Sequence, residues 1–267
     1  MANDLYAAVA QCPADLDTPQ DRLCWLASVL SEHHAEPLDL VVLPELFQCG
    51  YNIGDRVNAR AETRDGPFAQ KIATLARMHK TAIVYGYAEH AEGKLYNSAL
   101  CINTFGELAG HHRKLLLPPG FEGDHFAPGD GCRLFSLGAF TIAIVICYDV
   151  EFPETLRHVV QAGADLVVVP TALGAEWGIV ADCVIPTRAF ENGVFLCYAN
   201  YCRNEGDLKY FGGSCIVAPN GATLARAGTD ASLLRARLEQ SAVALARDRL
   251  PYFTDRHKLP WSKKGQL

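Results

Sequence analysis

Apolar positions along the chain fall into two kinds of run. Short, nearly continuous blocks bounded by Gly, Pro, Asn or Asp have the length and β-branched content of buried strands, whereas longer stretches repeat at three and four residues as helices do. Residues 5–11 read as a strand, and Thr18-Pro19 as the cap and first turn of a helix that carries Leu23, Leu26 and Leu30 and ends near Pro37. LDLVVLP, 38–44, is a second strand, Phe68, Ile72 and Leu75 mark another helix, and 81–87 form a third strand. Residues 96–102 and 107–111 read as a hairpin, followed by a long Pro- and Gly-rich loop, and 134–146 as a second hairpin. Beyond it lie a helix with Leu156, Val159 and Val160 that stops at Gly163, a strand at 164–170, and a helical stretch 176–192 that Pro186 must break or restart. A strand at 194–200, a hairpin turning at Asn220-Gly221, a last strand at 233–238 and a charged, proline-containing tail from Arg247 complete the pattern. Strands and helices alternate in both halves with hairpins between and after them. This predicts a layered α/β domain with mixed sheets, two of them packed face to face. No biased linker or fixed-period repeat interrupts 1–267, so a single domain is expected.

Composition narrows this reading. With 267 residues, 49% apolar and 20% charged, the chain can bury a large core. A formal charge of −6 without a basic run argues against a nucleic-acid partner, whose phosphates need clustered Lys and Arg. The N-terminus lacks the charged start and apolar segment of a secretory signal, and no run reaches the roughly 18 apolar residues of a membrane span. A cytoplasmic protein without a membrane partner is therefore expected. Its ten cysteines are scattered without a C-x-x-C pair, and read as reduced, mostly core thiols.

Three polar residues stand at the ends of buried strands or hairpins: Glu45, Lys114 and Cys147. Each alone has a plain structural explanation: a solvated strand end, a basic turn beside His111, His112 and Arg113, and a packed core thiol. Converging, they have chemistry. A carboxylate takes the thiol's proton as sulfur attacks an electrophilic carbon, and returns it to the departing amine, while an ammonium and the Tyr148 N–H hold the developing oxyanion. In IAIVICYDVEFPE the cysteine sits at a strand-to-helix elbow, where helix N–H groups are expected to lower its pKa below about 8.5 and favour the thiolate.

VVLPELFQCGY, HRKLLLPPGFEGDHFAPGD and IVICYDVEFPE resemble the glutamate, lysine and cysteine signatures of the nitrilase superfamily of carbon-nitrogen hydrolases. TRAFENGVFLCYAN, GGSCIVAPNG and RLPYFTDRH resemble further family segments in the same order. The resemblance implies Glu45 as general base, Lys114 as oxyanion stabiliser, Cys147 as nucleophile, and Glu122 as a second glutamate that positions substrate and assists the lysine. It also implies a four-layer α-β-β-α sandwich, pairing of subunits to eight layers in a homodimer or a higher homo-oligomer, and neither metal nor organic cofactor. Relatives commonly carry Thr-His or Ser-His after the lysine, where this chain has Leu115, Leu116 and Leu117.

The residues after the cysteine bear on the substrate. Nitrilases proper resemble one another in Cys-Trp-Glu, and amino-acid carbamoylases tend to offer arginines there; this chain has Tyr148, Asp149, Val150 and Glu151. A small neutral or cationic amide is expected, and a narrower likeness to 5-aminovaleramide amidases and R-stereoselective amidases points the same way. N-carbamoyl amines and nitriles are the alternative substrates. Tyr51, Tyr148, Glu151 and Trp177 are the candidates for the pocket wall. The rivals are a metal site using His33-His34 or His111-His112, a Cys-His hydrolase using His125 or His158, and a thiol sensor or scaffold without turnover. The first lacks zinc spacing, and the last has no use for Glu45, Lys114 and Glu122.

Overall fold

The computed structural model describes residues 4–33 and 38–259. Its strands are, in chain order, β1 (Asp4–Pro13), β2 (Leu40–Val42), β3 (Ala82–Ala91), β4 (Lys94–Ile102) and β5 (Leu108–Arg113). Then come β6 (Leu134–Leu137), β7 (Phe140–Ile144), β8 (Leu166–Pro170), β9 (Phe195–Ala199) and β10 (Tyr201–Cys202). The last are β11 (Asn204–Glu205), β12 (Leu208–Lys209), β13 (Cys215–Val217), β14 (Thr223–Arg226) and β15 (Ser232–Glu239). One sheet has the order β10-β1-β2-β3-β4-β5, with β15 also paired to β1, and the other the order β14-β13-β9-β8-β7-β6. Both are mixed: β1-β2-β3 and β7-β8-β9 are parallel, and hairpins supply the antiparallel pairs.

The near-continuous apolar strands follow from cover on both faces. In β2, Val41 packs outward with Leu26 and Ile72 of the helices Pro19–Glu32 and Pro67–His79, while Leu40 and Val42 face inward. The inward set meets Ile142, Ile144, Leu166 and Val168 of the second sheet. That sheet's outer face, with Ala143, Val167 and Val169, is covered by Leu156, Val159, Ile185 and Ala189 of the helices Pro153–Gln161 and Ile185–Asn192. Three cores separate four layers, helix-sheet-sheet-helix. The first helix is locked at its start by a reciprocal box in which Thr18 and Asp21 each accept the other's backbone N–H.

Several boundaries differ from the sequence reading. The second strand is only Leu40–Val42, because the chain must leave the sheet to form the turn holding Glu45. The strand expected at 81–87 runs on to Ala91 and turns at Glu92-Gly93 into β4, so 82–113 form a three-stranded meander. The long loop contains a helical turn, Phe121–His125. Pro186 restarts the helical stretch, one of the two outcomes expected of it: it occupies the first turn of Ile185–Asn192, where a missing N–H is harmless, and a wider turn over Val180–Val184 leads into it. The hairpin expected at Asn220-Gly221 turns at Pro219-Asn220 instead, with the Gly221 N–H donated to the Ala218 carbonyl and Gly221 left-handed at φ +82°. Residues 241–249, read partly as tail, form a helix. The first helix ends at Glu32, short of the expected end near Pro37, and residues 34–37, His34 among them, lie outside the described residues.

Candidate active site

Glu45 follows β2, Lys114 follows β5 and Cys147 follows β7, and their sheets bring these ends together. The backbone reaches these positions under strain. Leu46, after the glutamate, and Cys147 itself have φ of +48° and +43°, conformations that cost a side-chain-bearing residue about 1–3 kcal/mol each. The Glu45 turn fits only because residue 86 is glycine: a Cβ there would lie 2.3 Å from the Leu46 nitrogen and 2.7 Å from the Glu45 Cα.

The polar groups form one buried network. Lys114 Nζ donates to Glu45 Oε1 at 2.7 Å and to Glu122 Oε1 at 2.6 Å, and all three side chains are essentially without exposed surface. Asn97 Nδ2 donates to Glu45 Oε1 at 2.7 Å and to Glu122 Oε2 at 3.0 Å, and the Tyr51 hydroxyl donates to Glu122 Oε1 at 2.7 Å. Both oxygens of Glu122 thus accept, Oε1 from two donors and Oε2 from one. Glu45 keeps one oxygen, Oε2, buried and without a hydrogen-bond partner.

Electrostatics sets the resting protonation. Burial pushes the Glu45 carboxyl up to about 7 against the pull of Lys114. For Lys114 burial acts downward, but Glu45, Cys147 and Glu122 outweigh it and hold the ammonium well above its ordinary value. The expectation of a thiolate is overturned. Burial, then the Glu45 carboxylate, push the Cys147 thiol far up, and Lys114 and Thr171 offset only part of this. The helix dipole does not rescue it, because Cys147 opens a tight five-residue turn, Cys147–Glu151, and the α-helix starts only at Pro153.

A cavity of about 420 Å³ lies in front of this network, lined by Tyr51, Glu122, Cys147, Tyr148, Glu151 and Trp177 together with Pro118, Pro119, Leu208 and residues 172–174. All four pocket candidates are therefore brought to one wall; Trp177 stands at its rim, 61% exposed. The Glu151 carboxylate makes no hydrogen bond or ion pair among the described residues, and burial raises its pKa. Among the described residues no Lys or Arg lines the cavity.

Other side chains hold the two halves in register. Asp149, read from sequence as part of the substrate clue, is wholly buried and turned away from the cavity. Its carboxylate accepts the Leu115 N–H at 3.2 Å and the Leu116 N–H at 2.9 Å, and lies 3.3 Å from His112 Nε2. The cysteine turn is thereby tied to the lysine segment. Arg188 closes the other end of that turn, donating to the carbonyls of Val150 at 3.0 Å and Glu151 at 2.6 Å. His125 Nδ1 and Nε2 lie 2.8 Å from the Phe121 carbonyl and 3.0 Å from Asp55, and His158 is exposed on its helix; neither lines the cavity. Among the described residues no group of three or more His, Cys, Asp or Glu is placed to hold a metal. Asn97 and Arg188 were not anticipated; the signal for Asn97 was only an amide inside an otherwise apolar strand.

Residues 6–248 match the carbon-nitrogen hydrolase family. The chain belongs to that family. This carbon-nitrogen hydrolase is 40% identical to a hydrolase from the pqqF 5′ region of Pseudomonas protegens, over 94% of this chain and 89% of that one. It is 33% identical to an (R)-stereoselective amidase of a Pseudomonas species, over 82% and 79%. Among solved structures, an amidase from Nesterenkonia sp. superposes with a TM-score of 0.83 at 29% identity, covering 94% of this chain and 95% of its own. A variant of that amidase shows the acetamide moiety of fluoroacetamide covalently added at its active-site cysteine. These likenesses establish the nitrilase-superfamily fold and place this chain beside amidases.

Proposed function

We propose that this carbon-nitrogen hydrolase is an amidase that converts a small aliphatic or amino amide to its carboxylic acid and ammonia through a thioester on Cys147. Glu45 Oε2, a buried acceptor with no partner, carries the reading, because it accompanies a thiol that stays protonated at rest. The Sγ proton passes to Glu45 as sulfur bonds to the amide carbon, and the carbonyl electron pair moves to oxygen. Lys114 and the Tyr148 N–H stabilise that oxyanion. Its collapse breaks the C–N bond while Glu45 gives its proton to nitrogen, and ammonia leaves. Water then delivers its oxygen to the thioester and a proton to Glu45; the C–S bond breaks and sulfur recovers the proton.

The cavity favours a small acyl group. Glu151 is the carboxylate left for a substrate ammonium, since Glu122 is committed to Lys114, Tyr51 and Asn97. A substrate carboxylate would find no cation in the wall among the described residues. The (R)-stereoselective amidase and Nesterenkonia amidase relatives support amide hydrolysis. In the test, wild type and Cys147→Ala are incubated with amino amides, aliphatic amides, nitriles and N-carbamoyl amines while ammonia and acyl-adduct mass are followed. Ammonia from amides and an acyl adduct on wild type alone are expected. Equal turnover by Cys147→Ala, or turnover confined to nitriles, overturns the proposal. The expected pairing of subunits is checked by mass in solution, where a 29.1 kDa species alone would contradict it.

A further inference from the structure

Behind the site a single buried guanidinium reaches two of its parts. Arg22, on the helix Pro19–Glu32, is 1% exposed. Its Nη2 donates to Glu205 Oε1 at 3.3 Å. The other oxygen of Glu205 accepts the N–H groups of Tyr51 at 3.1 Å and Asn52 at 2.7 Å, and the Tyr210 hydroxyl at 2.8 Å. Arg22 Nη1 reaches the Tyr201 hydroxyl at 3.4 Å, and that hydroxyl donates to the Glu45 carbonyl at 2.9 Å. One branch therefore ends on the backbone of Glu45, and the other on Tyr51, whose hydroxyl holds Glu122.

We propose that Arg22 and Glu205 are positioning residues for the reaction: together they fix the Glu45 turn and the Tyr51 arm that orients Glu122 against Lys114. A buried ion pair is a poor choice for stability alone, because desolvation of both charges offsets most of their attraction and an apolar pair of the same size packs as well. Here the planar fork of arginine serves two directions at once, which no apolar side chain can do. The surroundings are fitted to the pair. Gly50, at φ +93°, leaves room for the pair: a Cβ there would meet Glu205 Oε1 at 2.5 Å and Arg22 Nη2 at 3.2 Å, so the loop passes the two charges only with glycine at this position. Neither Arg22 nor Glu205 lines the cavity, so they act through Tyr51 and Tyr201 rather than on substrate. Leu208, in the hairpin that continues from Glu205, does line it, which places the mouth on the same anchor.

The inference rests on the amidase reading only for its kinetic readout. Glu205→Gln and Arg22→Lys keep the size and fold of the site better than truncation, and Tyr201→Phe cuts the second branch without removing a charge. Each is made alone, and Glu205→Gln is also combined with Tyr51→Phe. Two quantities are measured: amide turnover, split into kcat and KM, and the rate of Cys147 alkylation by iodoacetamide followed by mass, which needs no substrate. Displacing reacting groups by about 1 Å costs about 100-fold, so Glu205→Gln and Arg22→Lys are expected to lose about 10–100-fold in kcat with little change in KM. Tyr201→Phe should lose about 10-fold in kcat and in alkylation rate. Adding Tyr51→Phe to Glu205→Gln should cost less than about 3-fold more, because both act through one contact. Losses that multiply, or melting-temperature losses with unchanged kcat and alkylation rate, overturn the proposal. If the wild type hydrolyses no amide, the amidase reading fails while the alkylation rates still decide this one. Should Glu205→Gln and Arg22→Lys fail to fold, Tyr201→Phe decides it: unchanged alkylation refutes, a tenfold loss supports.

Discussion

Replacing Lys114 by Met tests the electrostatic account of the site directly. Methionine keeps an unbranched, apolar chain and removes the ammonium with its charge and its N–H donors. Lys114 Nζ lies 2.7 Å from Glu45 and 2.6 Å from Glu122, so its loss leaves two buried carboxyls facing one empty position, with Asn97 and Tyr51 as the remaining donors. Breaking a buried pair by removing one partner costs about 3–5 kcal/mol, which for a chain of this size is a fall of about 6–20 °C in melting temperature. The loss should depend on pH in a definite sense. Without the ammonium, burial and the neighbouring Glu122 hold the Glu45 carboxyl still further above its unfolded value of about 4.3, so folding takes up a proton. Stability is then fully present below that value and is lost as pH rises through the raised one. In wild type burial already brings Glu45 to about 7 with Lys114 pulling against it, so the variant's deficit must widen between pH 5 and pH 8. Each additional unit of upward shift adds about 1.4 kcal/mol to it. Thermal melts of both proteins at pH 5, 6, 7 and 8 at fixed ionic strength measure the difference. A deficit equal at pH 5 and pH 8, or below about 1 kcal/mol at pH 8, would refute the reasoning. Turnover at pH 5, where the fold is recovered, should still be at least about 100-fold below wild type, because the oxyanion has lost its cation.

Three further outcomes follow from the same geometry. Since Glu45 must be ionised to act as base and burial raises it to about 7, kcat/KM of the wild type should fall tenfold per unit below about pH 7; a flat profile down to pH 5 would show that another group accepts the proton. Glu151→Gln should lower kcat/KM for an amino amide about 5–10-fold and leave a neutral amide of equal length within twofold, as expected of one charge pair of about 1 kcal/mol; equal effects on both substrates would remove Glu151 from recognition. Asp149→Asn turns an acceptor oxygen into a donor opposite the Leu115 and Leu116 N–H groups or His112, so about 2–4 kcal/mol of stability should be lost, measured by denaturant unfolding, with a parallel loss of Cys147 alkylation rate. An unchanged unfolding midpoint would mean the cysteine turn is held by other contacts.

What could be read from the sequence were features carried by one stretch of chain. The apolar blocks 38–44, 81–87 and 164–170 announced buried strands because two cores constrain each of them, and Glu45, Lys114 and Cys147 stood just past the ends of the block 38–44 and of the hairpins 96–111 and 134–146. Their mutual contacts were not legible from position alone, and the resemblance was needed to join them. Asn97 and Asp149 show why: each is polar for the sake of a partner tens of residues away, Glu45 and Glu122 for the first, the Leu115 and Leu116 N–H groups for the second. Asp149 was misread for this reason, since its neighbours Tyr148 and Glu151 do face the cavity while a tight turn rotates it inward. The thiol was misread for a related one. Helix-dipole reasoning is local, whereas the burial and the Glu45 charge that raise the Cys147 pKa come from another sheet.

That correction changes how the proposed chemistry is driven. A preformed thiolate would stand beside Glu45 and Glu122 as a third anion around one lysine, in a site whose described wall holds no other cation. With the proton kept on sulfur the network carries two carboxylates and one ammonium. Transfer of that proton to Glu45 as sulfur attacks leaves the total charge unchanged, and it removes the negative charge that Lys114 had been neutralising at 2.7 Å. The ammonium is then free to turn its attraction toward the oxyanion at the moment that charge develops. The same step gives Glu122 its part: hydrogen-bonded by Tyr51 and Asn97, it anchors Lys114 while Glu45 changes state. On this account two glutamates flank one lysine because one takes the proton and the other holds the ammonium in place. Glu122→Gln should then retain the acid limb near pH 7 but lower kcat at every pH, whereas Glu45→Gln should abolish the limb together with activity. Loss of the limb in Glu122→Gln instead would assign the proton to the other carboxylate and reverse the roles.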